Sequence, residues 1–339
     1  MLYNLIYIIF FQLIIIYFFN YFAKKINLLD IPDSRKRHIG NIPLTGGLVI
    51  YFSIIFLFFL IEIPYLVKII FVVSTLLLII GLVDDKFKLG VRERFFFQII
   101  SVLILIGYNL YIFDLGGILN FLNTDIKQFS IIFTFLCVIA FINSINFIDG
   151  VDGLAGGLIL NILLSIILFS YLEGFDIYTK NIFIFYLIVI ILIFLLANFG
   201  IFLPKLFLGD SGSNMLGLNI SFLIIYFTQI EKAFDPILAI WLCAFPIFDL
   251  STVFLRRLYK GISPFKPDRR HFHYLIIGLG VKSKLVTILI VTISFIFSII
   301  GYLSYSLFNN YLSITIFMIF FLIFFFLNIV IGRRLKIDS

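Results

Sequence analysis

Long apolar runs alternate with short polar breaks along the whole chain. An α-helix needs roughly 17 to 25 mostly apolar residues to cross hydrocarbon. The pattern predicts eleven such spans, at 2–22, 46–62, 66–83, 95–112, 130–145, 156–172, 181–197, 213–230, 236–255, 285–305 and 311–332. The breaks between them are too short for a separate folded unit, so residues 1–339 read as one all-α, polytopic membrane domain. The first span has neither a basic leader nor a small-residue cleavage site, and is expected to stay as a helix. Composition agrees: 63% of residues are hydrophobic and 13% charged, and the mean hydropathy is +1.19. No soluble domain of this length has enough polar surface to cover that core.

Charge orients the spans. Of the 25 Lys and Arg, all but Lys68, Lys127, Lys180 and Lys232 fall after odd-numbered spans or in the C-terminal tail. Basic residues concentrate on the cytoplasmic side of a membrane protein, so the N-terminus is expected outside and the C-terminus in the cytoplasm. The polar clusters share this bias. Asp84-Asp85, the run from Asn143 to Gly157, the stretch from Asn198 to Ser213 and the basic loop 256–284 all lie on or beside cytoplasmic breaks, and none is expected outside. A carrier needs polar groups through the depth of the bilayer. One-sided polarity suits an enzyme that meets a cytosolic substrate at the membrane surface.

The acidic residues define the chemistry. Asp84, Asp85, Asp149, Asp152 and Asp210 lie near Arg and Lys in the chain, which suits a divalent ion bound together with phosphates. Magnesium takes one or two carboxylates and completes its shell with water and phosphate oxygens. Gly209-Asp210-Ser211-Gly212-Ser213 runs straight into the eighth span, and is expected either to offer free backbone N–H groups to an anion or to be an ordinary N-cap. Asp149 and Asp152 share a face if their segment is helical, and Gly150 and Gly153 leave room for a planar ligand; the competing reading is a capping pair. His271 and His273 follow Arg269 and Arg270, a grouping that suits gripping a pyrophosphate through guanidinium and protonated imidazole. Arg35-Lys36-Arg37-His38 reads as a segment drawn to anionic lipid or as one that holds substrate. Asp249, seven residues before Arg256, either pairs with an arginine or shapes the site. Cys137 and Cys243 lie within apolar spans and read as buried small hydrophobes.

These motifs, in this order, resemble the polyprenyl-phosphate N-acetylhexosamine-1-phosphate transferases (the MraY/WecA-like superfamily) over roughly residues 25–285. The resemblance rests on Asp84-Asp85 with Leu89, Arg92 and Arg94; on Asn143 to Gly157; on Asn198 and Phe207 to Ser213; and on the histidine loop. Asp30-Ile31-Pro32, Ile42-Pro43-Leu44-Thr45-Gly46-Gly47 and Pro264 to His273 are similar to the WecA-like branch, although Tyr274 stands where that branch usually carries a further histidine. The resemblance implies transfer of a sugar 1-phosphate, usually N-acetylglucosamine 1-phosphate from UDP-GlcNAc, to undecaprenyl phosphate. UMP is released, Mg²⁺ is required (with Mn²⁺ as a substitute), and a cell-envelope polysaccharide is initiated. It implies Asp210 as metal ligand, and Asp84 and Asp85 as the groups that activate or orient the lipid phosphate. Asn146, Asp149, Asp152 and Asn198 would line the nucleotide-sugar pocket, with Phe207 against uracil. Arg94, Arg270, His271 and His273 would hold phosphates. The partners are then undecaprenyl phosphate, a UDP-N-acetylhexosamine and the lipid bilayer, with no nucleic acid; family members are often homodimers, but no span here marks an interface. Three alternatives stand: a different UDP-N-acetylhexosamine; UDP-N-acetylmuramoyl-pentapeptide, whose enzymes carry three consecutive histidines followed by Tyr-Glu; and a flippase for lipid-linked sugars.

Overall fold

A computed structural model describes residues 2–32, 40–117, 129–261 and 270–335. Helices occupy every apolar run: α1 (Leu2–Lys25), α2 (Gly46–Leu60), α3 (Tyr65–Phe87), α4 (Val91–Gly107), α5 (Ser130–Ile148), α6 (Leu154–Leu172), α8 (Phe183–Phe199), α9 (Gly209–Ile225), α13 (Ser283–Leu307) and α14 (Asn310–Arg334). Shorter pieces are α7 (Ile177–Lys180), α10 (Ile237–Leu242), α11 (Ala244–Tyr259) and α12 (Phe272–Gly278), and a π-helical turn (Tyr226–Ile230) extends α9. Among the described residues, seven helices are long and apolar enough to cross a membrane, with α2 and α8 as shorter apolar ones. The chain is an all-α polytopic membrane protein.

Two boundaries depart from the hydropathy pattern for physical reasons. α4 begins four residues before the predicted 95, because Arg92, Glu93 and Arg94 form its first turn and hydropathy stops at charges that helix geometry tolerates. The ninth run breaks at Cys243 into α10 and α11. Pro246 lies just beyond the break; its ring clashes with the carbonyl four residues back, so it is tolerated only in the first turn of a new helix.

α9 is the axis of the bundle and is almost entirely buried. Its small residues let other backbones come close, which is how helices pack where lipid supplies no hydrophobic drive. A methyl group on Gly81 of α3 would overlap the Ser211 backbone, and one on Gly217 would overlap Ile142 of α5. Gly47 of α2 and Gly212 of α9 exclude a side chain from each other in the same way. The first loop is drawn in as well. β1 (Leu29–Asp30) and β2 (Ile42–Pro43) pair antiparallel, Phe207 N–H donates to the Pro43 carbonyl at 2.8 Å, and Gly46 N–H donates to the Phe207 carbonyl at 2.8 Å. The Ile42-to-Gly47 motif is therefore a brace for the start of α9. Its companion, Arg35 to His38, lies outside the described residues.

Polar groups are less one-sided than the sequence suggested. The opposite end of the bundle carries its own set: Gln229 accepts from the backbone N–H groups of Phe113 and Asp114, Asn310 bonds the Gly116 carbonyl, and Tyr226 bonds Glu231. These contacts fasten turns where helices end, the usual fate of backbone groups left unpaired there. Inside the bundle, Gln12 donates to the Ile190 carbonyl at 2.9 Å and Asn161 to Ser294 at 3.0 Å.

Candidate active site

The C-terminal ends of α3 and α5 meet the N-terminal end of α9, and the predicted carboxylates gather there. Asp85 accepts from the N–H groups of Asp210 (2.8 Å) and Ser211 (3.2 Å). Gly209 at φ +75° starts the turn, and a side chain there would meet the Asp85 carboxylate. The anion at the start of α9 is thus Asp85 itself, which corrects the expectation of open N–H donors at that helix end. Asp84 is buried and accepts from Leu89 N–H at 2.7 Å and from Arg94 Nη1 at 3.1 Å. The same Arg94 nitrogen lies 3.8 Å from Asp210 Oδ2.

Asp210 is the most open of these acids, with 37% of its side chain exposed. Its Oδ1 accepts from Asn146 Nδ2 at 2.7 Å, and that nitrogen also reaches Ser213 Oγ at 2.8 Å. A chain of amides lies behind it. Asn214 donates to the Asp210 carbonyl at 2.8 Å, Gln98 to Asn214 at 2.9 Å, and Asn143 to Gln98 at 3.0 Å. Gln98 and Asn214 were not legible as site residues: each is a single amide in a helical pattern. The available signal was that an amide buried in a membrane helix needs a partner.

Residues 149–153 form a turn instead of a helix. α5 ends at Ile148, and Gly153 at φ +73° precedes α6, so Asp149 and Asp152 do not share a helical face. Asp149 is partly buried. Burial first, then the charges of Asp210, Asp85 and Asp152, raise its carboxyl well above the ordinary range. Asp152 pairs with Lys205 at 2.5 Å, and Lys205 Nζ sits 5.2 Å from the centre of the Phe207 ring. Asn198 is buried and spends its amide on backbone, accepting from Gly153 N–H at 2.6 Å and donating to the Leu206 carbonyl at 3.0 Å. It ties two loops together. The glycines make room for protein: side chains at Gly150 and Gly153 would strike Tyr274 and Phe199.

The histidine segment packs on this same turn. Phe147 and His271 have ring centroids 5.3 Å apart, and His271 and His273 are 5.9 Å apart and nearly parallel. His271 Nδ1 lies 2.7 Å from Asp249 Oδ2, and Phe272 N–H donates to Asp249 Oδ1 at 2.7 Å. Of the two readings for Asp249, partner of an arginine or part of the site, it is the histidine segment that it holds. His273 is fully buried beside Tyr274, and neither of its ring nitrogens has a hydrogen-bond partner among the described residues. Burial dominates there and lowers its basicity to about 3, against the pull of Asp249. The expected protonated imidazole therefore fails at His273, which is neutral near pH 7. Arg270 precedes His271 at the edge of the described residues; Arg269 lies outside them.

Among the described residues no three His, Cys, Asp or Glu side chains converge as a ready-made metal site. A magnesium ion does not need one, since one or two carboxylates suffice when phosphates and water complete the shell. The open Oδ2 of Asp210, beside Asp84 and Asp85, fits that requirement.

A family model described as "Glycosyl transferase family 4" matches residues 67–228, the stretch that carries Asp84, Asn146 and Asp210. An undecaprenyl-phosphate alpha-N-acetylglucosaminyl 1-phosphate transferase of Escherichia coli (strain K12) is 33% identical over 327 residues, covering 96% of this chain and 89% of the relative. The chain belongs to glycosyl transferase family 4. Proteins of the same name from Haemophilus influenzae (36% over 314 residues, 89% of this chain and 86% of the relative) and Yersinia pestis (31% over 301 residues, 88% and 82%) are also similar. In this family member the matched stretch supplies the acids, while Asp249 and the histidines come from beyond it.

Proposed function

We propose that this membrane protein transfers N-acetylglucosamine 1-phosphate from UDP-GlcNAc to undecaprenyl phosphate, giving undecaprenyl-diphospho-N-acetylglucosamine and UMP. The observation that carries the reading is the meeting of Asp84, Asp85, Arg94, Asn146 and Asp210 where three helix ends join, in a chain whose relatives bear that activity in their names. The excess of Lys and Arg in the breaks after odd-numbered spans supports eleven crossings with this end in the cytoplasm. A nucleotide sugar would arrive there from water, while the acceptor keeps its tail in hydrocarbon and brings only its phosphate to the site.

In the net reaction, the bond between the sugar-bearing phosphorus and the uridine-side phosphate breaks, and that phosphorus becomes bonded to an oxygen of the lipid phosphate, by direct attack or through an aspartyl-phosphate intermediate. Two anions must approach each other, so catalysis is mostly charge neutralisation and alignment. Asp210 would hold Mg²⁺ (or Mn²⁺), which supplies charge to the diphosphate when bound. Asn146 fixes the Asp210 carboxylate from one side, and Asp85 fixes its backbone from beneath. Asp84 acts through Arg94, whose guanidinium it orients toward the diphosphate. Asp149 and Asp152 line the donor pocket, with Phe207 and Lys205 forming one wall. Arg270 and His271 meet phosphates from the opposite wall. His273, fully buried against the His271 ring, backs that wall as a neutral ring and does not reach the phosphates itself.

Purified protein incubated with undecaprenyl phosphate, Mg²⁺ and a panel of UDP-sugars should release UMP with UDP-GlcNAc. No UMP with any donor contradicts the reaction class; release with another UDP-N-acetylhexosamine alone replaces the sugar.

A further inference from the structure

Asp249 lies on α11, beyond the stretch that carries the other acids, and is 1% exposed. Both its oxygens are taken by consecutive residues, His271 through Nδ1 and Phe272 through its backbone N–H, each at 2.7 Å. Phe245 and Phe248 on the same helix are fully buried, and Phe272 packs on Phe245. An apolar residue would serve stability in such surroundings at least as well, because burying a carboxylate costs desolvation that its partners only partly offset. What a carboxylate adds is direction. It only accepts hydrogen bonds, so the ring nitrogen facing it must carry the proton.

We propose that Asp249 is a positioning residue: it takes the Nδ1–H of His271, holds the start of α12 through Phe272, and so presents Nε2 of His271 to the phosphates in the site. The proposal rests on the function proposed above for what Nε2 meets, but the state of the ring does not depend on it. The imidazole is walled by Phe147 and His273, so ring and carboxylate form one fixed unit. An outer carboxylate fixes the orientation of a working histidine in the same way at metal sites and in hydrolase triads.

Asn in place of Asp249 separates direction from packing. It has the same shape but one acceptor oxygen, which cannot serve both the Phe272 N–H and the His271 Nδ1–H. If the oxygen keeps Phe272, its NH₂ group faces Nδ1 and drives the proton to Nε2.

The chain has three histidines, so the ring-¹⁵N spectrum of histidine-labelled protein in detergent is simple enough to assign, with His271→Gln identifying the His271 signals. Wild-type protein should show His271 protonated at Nδ1, and Asp249→Asn should lose that proton. A wild-type ring unprotonated at Nδ1, or a ring unchanged in the variant, overturns the proposal. The wild-type spectrum alone decides should the variant fail to fold. Kinetically, Asp249→Asn should lower kcat for UMP release by about 100-fold. The double variant with His271→Ala should be no slower than His271→Ala alone, since residues acting as one unit are not additive. Independent, multiplying losses would mean that Asp249 acts elsewhere. Absence of UMP from wild-type protein would count against the proposed function and leave the spectrum to decide the positioning role.

Discussion

At the scale of single residues, what distinguishes Asp210 from its neighbours is its openness. Asp85 spends both oxygens on backbone N–H groups and Asp84 spends its own on Leu89 and Arg94, whereas Asp210 has one oxygen on Asn146 and the other loosely beside Arg94. Asp210→Asn should therefore cut Mg²⁺-dependent UMP release by on the order of 10²- to 10³-fold, while the detergent-purified protein stays folded; near-normal turnover removes it as the metal ligand. His273 gives a pH signature. Its folded value near 3 lies below the ordinary 6.5, so the unfolded chain binds its proton first and the folded state loses stability as pH falls from about 6.5 toward 3. Replacing His273 with Asn should flatten the fall of melting temperature across that window, and an unchanged pH profile would show that the ring is not buried neutral. The identity of these residues was legible because charge in an apolar chain is conspicuous. Their hydrogen-bond assignments were not, because Asp85 and Asp210 are 125 positions apart and only the fold brings one carboxylate under the backbone of the other.

At the scale of elements, the site depends on how closely α3, α2 and α5 approach α9. Gly81 touches the Ser211 backbone, so Gly81→Ala must push α3 and its terminal Asp84-Asp85 away from α9. We expect a loss of about 1–3 kcal/mol, read as a lower melting temperature, together with reduced turnover. Gly107 in α4 has open space where a side chain would go, and Gly107→Ala should be neutral or stabilising by up to about 1 kcal/mol from helix propensity. Equal effects at the two positions would refute the packing account. Helix positions were plain in the hydropathy, since crossing length and apolar content mark them without any tertiary knowledge. What hydropathy could not give was the break at Cys243, set by one proline, or the first turn of α9, where Gly209 and Asp210 look like loop but are helix. The run 143–157 misled in the opposite direction: a helical spacing of acids sits on a turn, because Gly153 takes a left-handed conformation.

At the scale of the whole molecule, the acids and the histidine segment share one end of the bundle, and a separate polar set closes the other. The positive-inside pattern predicts that the first end faces the cytoplasm. Phe202 is 95% exposed in the loop between α8 and α9, and Glu173 is exposed at the opposite end of α6. Once the free Cys137 and Cys243 are replaced, Glu173→Cys should react with a membrane-impermeant maleimide in intact cells, and Phe202→Cys only after permeabilisation; the reverse result inverts the topology. The central claim is that a phosphate travels with the sugar, and a labelled donor tests it most directly. UDP-GlcNAc carrying ³²P in its sugar-linked phosphate, mixed with the protein, undecaprenyl phosphate and Mg²⁺, should deliver the label to the organic-extractable lipid while UMP stays unlabelled. Label that remains in the aqueous phase while the lipid gains sugar, or no lipid product at all, would contradict the account.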